Sequence, residues 1–226
     1  MTNATTNASP PSDLDPAPLE PADTRPVFAK AVMTAAAAIG AVTPDQLGLP
    51  TPCDDFAVRQ LLGHMADVMA RVVLIGQGGD PMAIDPVDPA AVADDGWLDL
   101  FLGRAHEGRD AWAEDASLAR TVVLPWATMP GAAALAAYTN ELTVHTWDLA
   151  AATGQQPVWD DEVVAVALAA IQRGLPAGNR QALFESVIAT MPEAIRPTSA
   201  PYAEAIEVSA EAPMIDQLVA WTGRRL

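Results

Sequence analysis

The sequence predicts an all-α protein built on a four-helix bundle. Three observations carry that expectation. Apolar residues recur at helical spacing over long stretches, Gly and Pro punctuate the ends of those stretches, and nothing alternates at period two for long.

The elements follow in order. Residues 1 to about 24 hold Ser, Thr, Asn, Asp and repeated prolines (Pro10, Pro11, Pro16, Pro18, Pro21). Such a segment cannot bury enough surface to offset its ordering entropy, so 1–24 is expected to be a disordered tail and 25–226 a single domain. A first helix is expected from about Pro26 to Ile39, with Pro26 suited to the first turn and Gly40 to the stop. Val27, Phe28, Val32 and Ile39 supply its apolar side. A loop broken by Pro44, Pro50 and Pro52 follows.

In the second helix, Val58, Leu61, Leu62, Met65, Val68, Met69 and Val72 form the apolar stripe. Asp54 or Asp55 is suited to cap it, and Gly76, Gly78 and Gly79 end it. His64 falls at the flank of the stripe, where another helix would meet it. After a proline-rich loop over 80–89, a third helix is expected from about Ala90 to Asp115, carrying Trp97, Leu98, Phe101, Leu102 and Trp112. Leu124 to Pro130 reads as a turn into a fourth helix that ends at Gly154, with Leu135, Tyr138, Leu142 and Leu149 along one side. Further helices are expected over Asp160–Arg173, Gln181–Thr190 and Asp216–Trp221, and an extended segment over Tyr202–Val208.

Composition narrows the function. The formal charge of -17 repels phosphate backbones, so nucleic acid is not an expected partner. No apolar run reaches the roughly 18 residues of a membrane helix, and the first residues lack the basic flank and apolar core of a secretory signal. A cytoplasmic location is therefore expected, with no membrane partner. The single cysteine, Cys53, suits a reducing compartment and cannot form an internal disulfide.

The chemistry-bearing residues sit on two of the predicted helices. Glu141 and His145 are four residues apart, which on a helix stacks both side chains on one face. His64 lies on the second helix. Two imidazoles and a carboxylate would make a three-ligand site for Zn²⁺, Ni²⁺ or Fe²⁺ with a position left open. An ion held so can lower the pKa of a bound water or thiol and polarise a carbonyl. Asp148 is placed to orient His145, and Asp67 to orient His64. Spacing alone leaves another reading open: an ordinary Glu141–His145 pair, with His64 a core histidine bonded to a backbone carbonyl.

Other candidates point elsewhere. The HExxH zinc-protease order is absent, as are a glycine-rich phosphate loop and a Gly-x-Ser-x-Gly elbow. His106 lies in a charged stretch and reads as a surface residue. Cys53 precedes a helix start, which lowers a thiol pKa, but beside Pro52 it reads as structural. Trp126 and Trp147 are expected near the metal, and Arg224-Arg225 as a solvated terminus.

Two ordered motifs carry a resemblance. Thr51-Pro52-Cys53-Asp54-Asp55-Phe56-Ala57-Val58-Arg59-Gln60-Leu61-Leu62-Gly63-His64 resembles the "TPC..W.V..L..H" opening of actinobacterial DinB/YfiT-like metal-binding proteins. These are relatives of the N-terminal domain of mycothiol-dependent maleylpyruvate isomerase. Glu141-Leu142-Thr143-Val144-His145-Thr146-Trp147-Asp148-Leu149-Ala150 with Thr153-Gly154 resembles that family's "E..VH.WDLA..TG". The stretch from Ala212-Pro213 to Trp221-Thr222-Gly223-Arg224 is similar to its usual ending.

The resemblance implies a DinB/YfiT-like bundle holding a divalent metal, zinc first, through His64, Glu141 and His145. It implies mycothiol as co-substrate and a small electrophile as substrate, in S-transfer or isomerisation. Phe56 stands where the family commonly has Trp, a change expected to bear only on packing before the second helix. A homodimer is expected by analogy alone. The alternative function is a non-catalytic metal- or ligand-binding bundle acting as sensor or carrier. No residue presents itself as a general base.

Overall fold

The computed structural model describes residues 22–53, 56–189 and 202–226. Most of the expected disordered tail, residues 1–21, lies outside them, as do Asp54, Asp55 and the last residue of the expected Gln181–Thr190 helix. Among the described residues the architecture is all-α apart from one small hairpin, with a DinB-like bundle at its centre.

Helix α1 spans Arg25–Gly40 with Pro26 in its first turn, where a missing N–H has no cost. Its buried face is Val27, Phe28, Ala31, Ala35, Ala38 and Ile39. Asp23 pairs with Arg25, and the Thr24 hydroxyl donates to the Ala132 carbonyl at 3.1 Å. These contacts fix the entry to α1.

After a short 3₁₀ turn at Pro44–Gln46, helix α2 runs over Val58–Gly76. Ala57 takes the position before it, with no side-chain cap bond. The stripe from Val58 to Val72 is buried as its period requires.

Helix α3 is shorter than its apolar content predicts, spanning Trp97–Ala111 rather than about 90–115. At its start, Arg59 donates to the carbonyls of Pro89 and Val92, both at 3.1 Å, and pairs with Asp94, holding 89–96 in turns. At its end, the Trp112 indole donates to the Val72 carbonyl at 2.8 Å. A single helical turn, α4 (Ala116–Ala119), follows.

The stretch expected to be a turn is the second half of a hairpin. Strands β1 (Thr121–Leu124) and β2 (Ala127–Pro130) are antiparallel, with Thr121 opposite Pro130 and Leu124 opposite Ala127. Val122 and Leu124 face inward while Thr121 and Val123 do not. Two alternations are too few to register as a strand period in the sequence.

Helix α5 (Gly131–Thr153) is the central element and packs on α1, α2 and α6. A Cβ on Gly131 would overlap the Ser117 carbonyl oxygen, so only glycine lets α5 begin there. Gly154 ends it at φ 73°, the left-handed stop expected for glycine. Thr139, Thr143 and Thr146 are buried, and their hydroxyls donate to the carbonyls four residues earlier, at 2.9, 2.7 and 2.7 Å. These back-bonds let a helix with much polar content lie in the interior.

Helix α6 (Asp161–Gly174) is capped by Asp160, which accepts from the backbone N–H groups of Glu162 and Val163. Helices α7 (Arg180–Ile188) and α8 (Met214–Trp221) complete the chain, α8 lying against α6 and α5. Tyr202–Val208, expected to be extended, forms no strand. It is tacked down by backbone bonds from Ala205 to Ala177 and from Ile206 to Ala220, both 2.9 Å. Among the described residues no helix is long and apolar enough to cross a membrane.

Candidate metal centre

Three ligand-type side chains meet on the seam between α2 and α5. His64 comes from the second turn of α2, and Glu141 and His145 from successive turns of α5. Glu141 Oε1 lies 3.2 Å from His64 Nε2 and 3.4 Å from His145 Nε2. The two imidazoles meet edge to face, with centroids 4.7 Å apart and planes at 80°. One atom from each residue lies within 4.8 Å of the others, a grouping able to hold a metal ion.

Behind His145 a buried chain of contacts fixes the ring. Its Nδ1 is 3.0 Å from Asp148 Oδ2. Arg224 in turn donates to Asp148 from Nε at 3.0 Å and from Nη2 at 2.8 Å. With Nδ1 turned to the carboxylate as a donor, Nε2 is the nitrogen that faces Glu141 and His64.

On the other side, the Tyr202 hydroxyl donates to Glu141 Oε2 at 2.7 Å. This engages one carboxylate oxygen and leaves Oε1 facing both histidines. Phe56 stacks on His64, centroids 5.1 Å apart.

The electrostatics follow from this crowding. Burial pulls the Glu141 carboxyl up, but bonds from His145 and His64 outweigh it and hold the group well below the usual carboxylate range. Burial would also lower His145, yet Asp148 and Glu141 raise it to about 9. His64 moves down, because burial outweighs its bond to Glu141. Asp148 stays low despite burial, through His145 and Arg224. Burial and the neighbouring Glu141 push the Tyr202 phenol well above its ordinary value, so it remains a donor.

Not every expected residue arrives. Asp67 is engaged elsewhere: it accepts from the backbone N–H of Val87 at 3.0 Å and faces Arg104 at 3.6 Å. The Val87 amide and the Arg104 guanidinium, from the loop after α2 and from α3, claim that carboxylate. Trp126 sits at the hairpin turn with 57% of its surface exposed, not in a pocket wall.

Other residues prove closer than expected. Arg224 is buried rather than solvated, because Gly223, at φ 84°, turns the chain end back toward Asp148. Phe56, expected to bear only on packing before α2, stacks on His64. Cys53 also reaches the site, its sulfur within 4.8 Å of ligand atoms of His145 and Asp148. Tyr202 was read from the sequence only as part of an extended segment. A lone tyrosine 61 residues from its acceptor leaves no local trace.

The fold and the site together define a DinB-like helical bundle with a His–Glu–His cluster on its α2/α5 seam. A family model described as the mycothiol maleylpyruvate isomerase N-terminal domain matches residues 28–150, and the chain belongs to that family. Two uncharacterized proteins of Mycobacterium tuberculosis, from strains CDC 1551 / Oshkosh and ATCC 25618 / H37Rv, are similar to it. Each is 29% identical over 189 residues, covering 84% of this chain and 91% of the relative. No solved structure matches the chain. The matched stretch contains His64, Glu141 and His145, whereas Tyr202 and Arg224 lie beyond it.

Proposed function

We propose that the chain is a divalent-metal-dependent enzyme that uses a low-molecular-weight thiol of the mycothiol type on a small electrophilic substrate, by S-transfer or isomerisation. The observation that carries this reading is Glu141 Oε1 lying between His64 Nε2 and His145 Nε2, at 3.2 and 3.4 Å. Imidazole nitrogens and a carboxylate oxygen suit zinc, with nickel and iron as alternatives. His64, Glu141 and His145 would hold the ion. When bound, such a cation supplies Lewis-acid stabilisation of an anion at neutral pH.

The chain's own residues serve that chemistry by positioning. Asp148 accepts the Nδ1 proton of His145 and so fixes which nitrogen faces the centre. Arg224 keeps Asp148 ionised and aligned. Tyr202 holds the second oxygen of Glu141. Phe56 stacks on a face of His64 and helps set the orientation of its ring. Membership of a family named for a mycothiol-dependent isomerase supports the thiol.

The test is elemental analysis of untagged protein, wild type against Glu141→Ala. Close to stoichiometric divalent metal in the wild type, lost in the variant, supports the reading. Equal and negligible metal in both overturns it. Thiol-dependent turnover that collapses in His64→Ala separates an enzyme from a binding protein.

A further inference from the structure

Two polar side chains on the α2/α5 seam stand without hydrogen-bond partners among the described residues. Tyr138 lies three residues before Glu141 on α5 and is 5% exposed, and its hydroxyl is buried with no hydrogen-bond partner. A buried donor left unmet in a native fold calls for an explanation. Arg71 lies seven residues after His64 on α2, two turns along the same face. It is half-buried, and among the described residues it makes no hydrogen bond or ion pair.

With His64 against Glu141 and His145, and Trp112 lying both on the Val72 carbonyl late in α2 and beside Gly131 at the start of α5, the two helices run antiparallel. Arg71, seven residues on from His64, and Tyr138, seven residues back from His145, therefore stand at the same level of the seam. Burial pushes the Tyr138 phenol up and the Arg71 charge pulls it back, as that placement requires. The seam therefore leads from the three-residue cluster to this pair.

Acids outnumber bases 29 to 12 in the chain, yet no acid pairs with Arg71 among the described residues. Glu141, one turn from Tyr138, is already committed to His64, His145 and Tyr202. A guanidinium fork and a phenol O–H are both donors, and together they match a planar oxyanion. We propose that Arg71 and Tyr138 form a subsite that binds a carboxylate group of the substrate beside the His64–Glu141–His145 cluster. Arg71 is the more open member of the pair, so the ligand enters from its side. The role of this subsite in turnover rests on the enzymatic reading above; its binding of a carboxylate does not.

The test is calorimetric titration of untagged full-length protein with succinate, with succinamide as the uncharged control and inorganic phosphate as a rival anion. Succinate is expected to bind the wild type, tenfold or more weakly to R71Q and several-fold more weakly to Y138F, with no binding of succinamide. Y138F removes an unmet hydroxyl, so its unfolding midpoint should equal or exceed that of the wild type, which keeps the result readable. Succinate binding that is absent, or equal in wild type and R71Q, overturns the proposal, as does succinamide binding as well as succinate. Arg71-dependent binding of phosphate in preference to succinate overturns the carboxylate assignment. Zinc content is measured on the same samples. Wild type without metal but with Arg71-dependent succinate binding sinks the metal reading and leaves the subsite standing.

Discussion

Arg224 grips Asp148 through both arms of its guanidinium, Nε to Oδ1 at 3.0 Å and Nη2 to Oδ2 at 2.8 Å, across 76 residues of chain. The contact is almost fully buried, with side-chain exposures of 6% and 0%. Removing one member of a buried ion pair leaves the other charge uncompensated, which costs about 3–5 kcal/mol. Arg224→Ala is expected to lower stability by that order in urea unfolding. A change below about 0.5 kcal/mol, the usual scale for surface substitutions, would mean that the pair does not form.

Asp148 also fixes the His145 ring. Partners of this kind typically contribute about 10–100-fold to metal affinity. Asp148→Asn is expected to weaken zinc binding within that range, measured by competition with a chromophoric chelator. His145→Ala should weaken it further, since a ligand and not its support is lost.

Metal binding should stabilise the fold. A ligand present at 100 times its dissociation constant adds about 2.7 kcal/mol. For a chain of this size that corresponds to a rise in Tm of roughly 5–10 °C. Thermal unfolding of the wild type with and without zinc should show the rise, and His64→Ala should not.

Tyr202→Phe removes the bond to Glu141 Oε2 without removing the ring. The expected loss is about 1.5–3 kcal/mol, as for a hydrogen bond to a charged group. Metal stoichiometry should survive, because the three ligand-type residues remain. Loss of the metal in this variant would show that the tyrosine has more than a supporting part.

Gly131→Ala tests the start of α5. The added methyl group meets the Ser117 carbonyl oxygen, a backbone atom with little room to yield. Overpacking of this kind costs about 1–3 kcal/mol, readable as a fall in the urea midpoint with the slope unchanged.

The legible parts of this protein are those that repeat or lie close in sequence. The helices α1, α2, α5 and α6 show as apolar periods with Pro, Asp or Gly at their ends. Glu141 and His145 show as an i,i+4 pair. The hairpin did not show, because four-residue strands carry too little alternation. The ends of α3 were set by Arg59 and by the Trp112 indole, contacts made across the fold. Asp67 looked suited to His64 from spacing, yet the Val87 amide and Arg104 claim it. Tyr202 and Arg224 reach the site only through the path of the chain end, which no local pattern encodes.

That path has a kinetic consequence. Arg224 and Tyr202 follow α1 to α7 in the chain, so during synthesis from the N-terminus their contacts with α5 form after those within the bundle. A nascent chain could assemble the bundle core while its imidazoles still lack their anchors. Competence to capture a cation would then arrive as the final event of maturation, coupled to docking of the last helix.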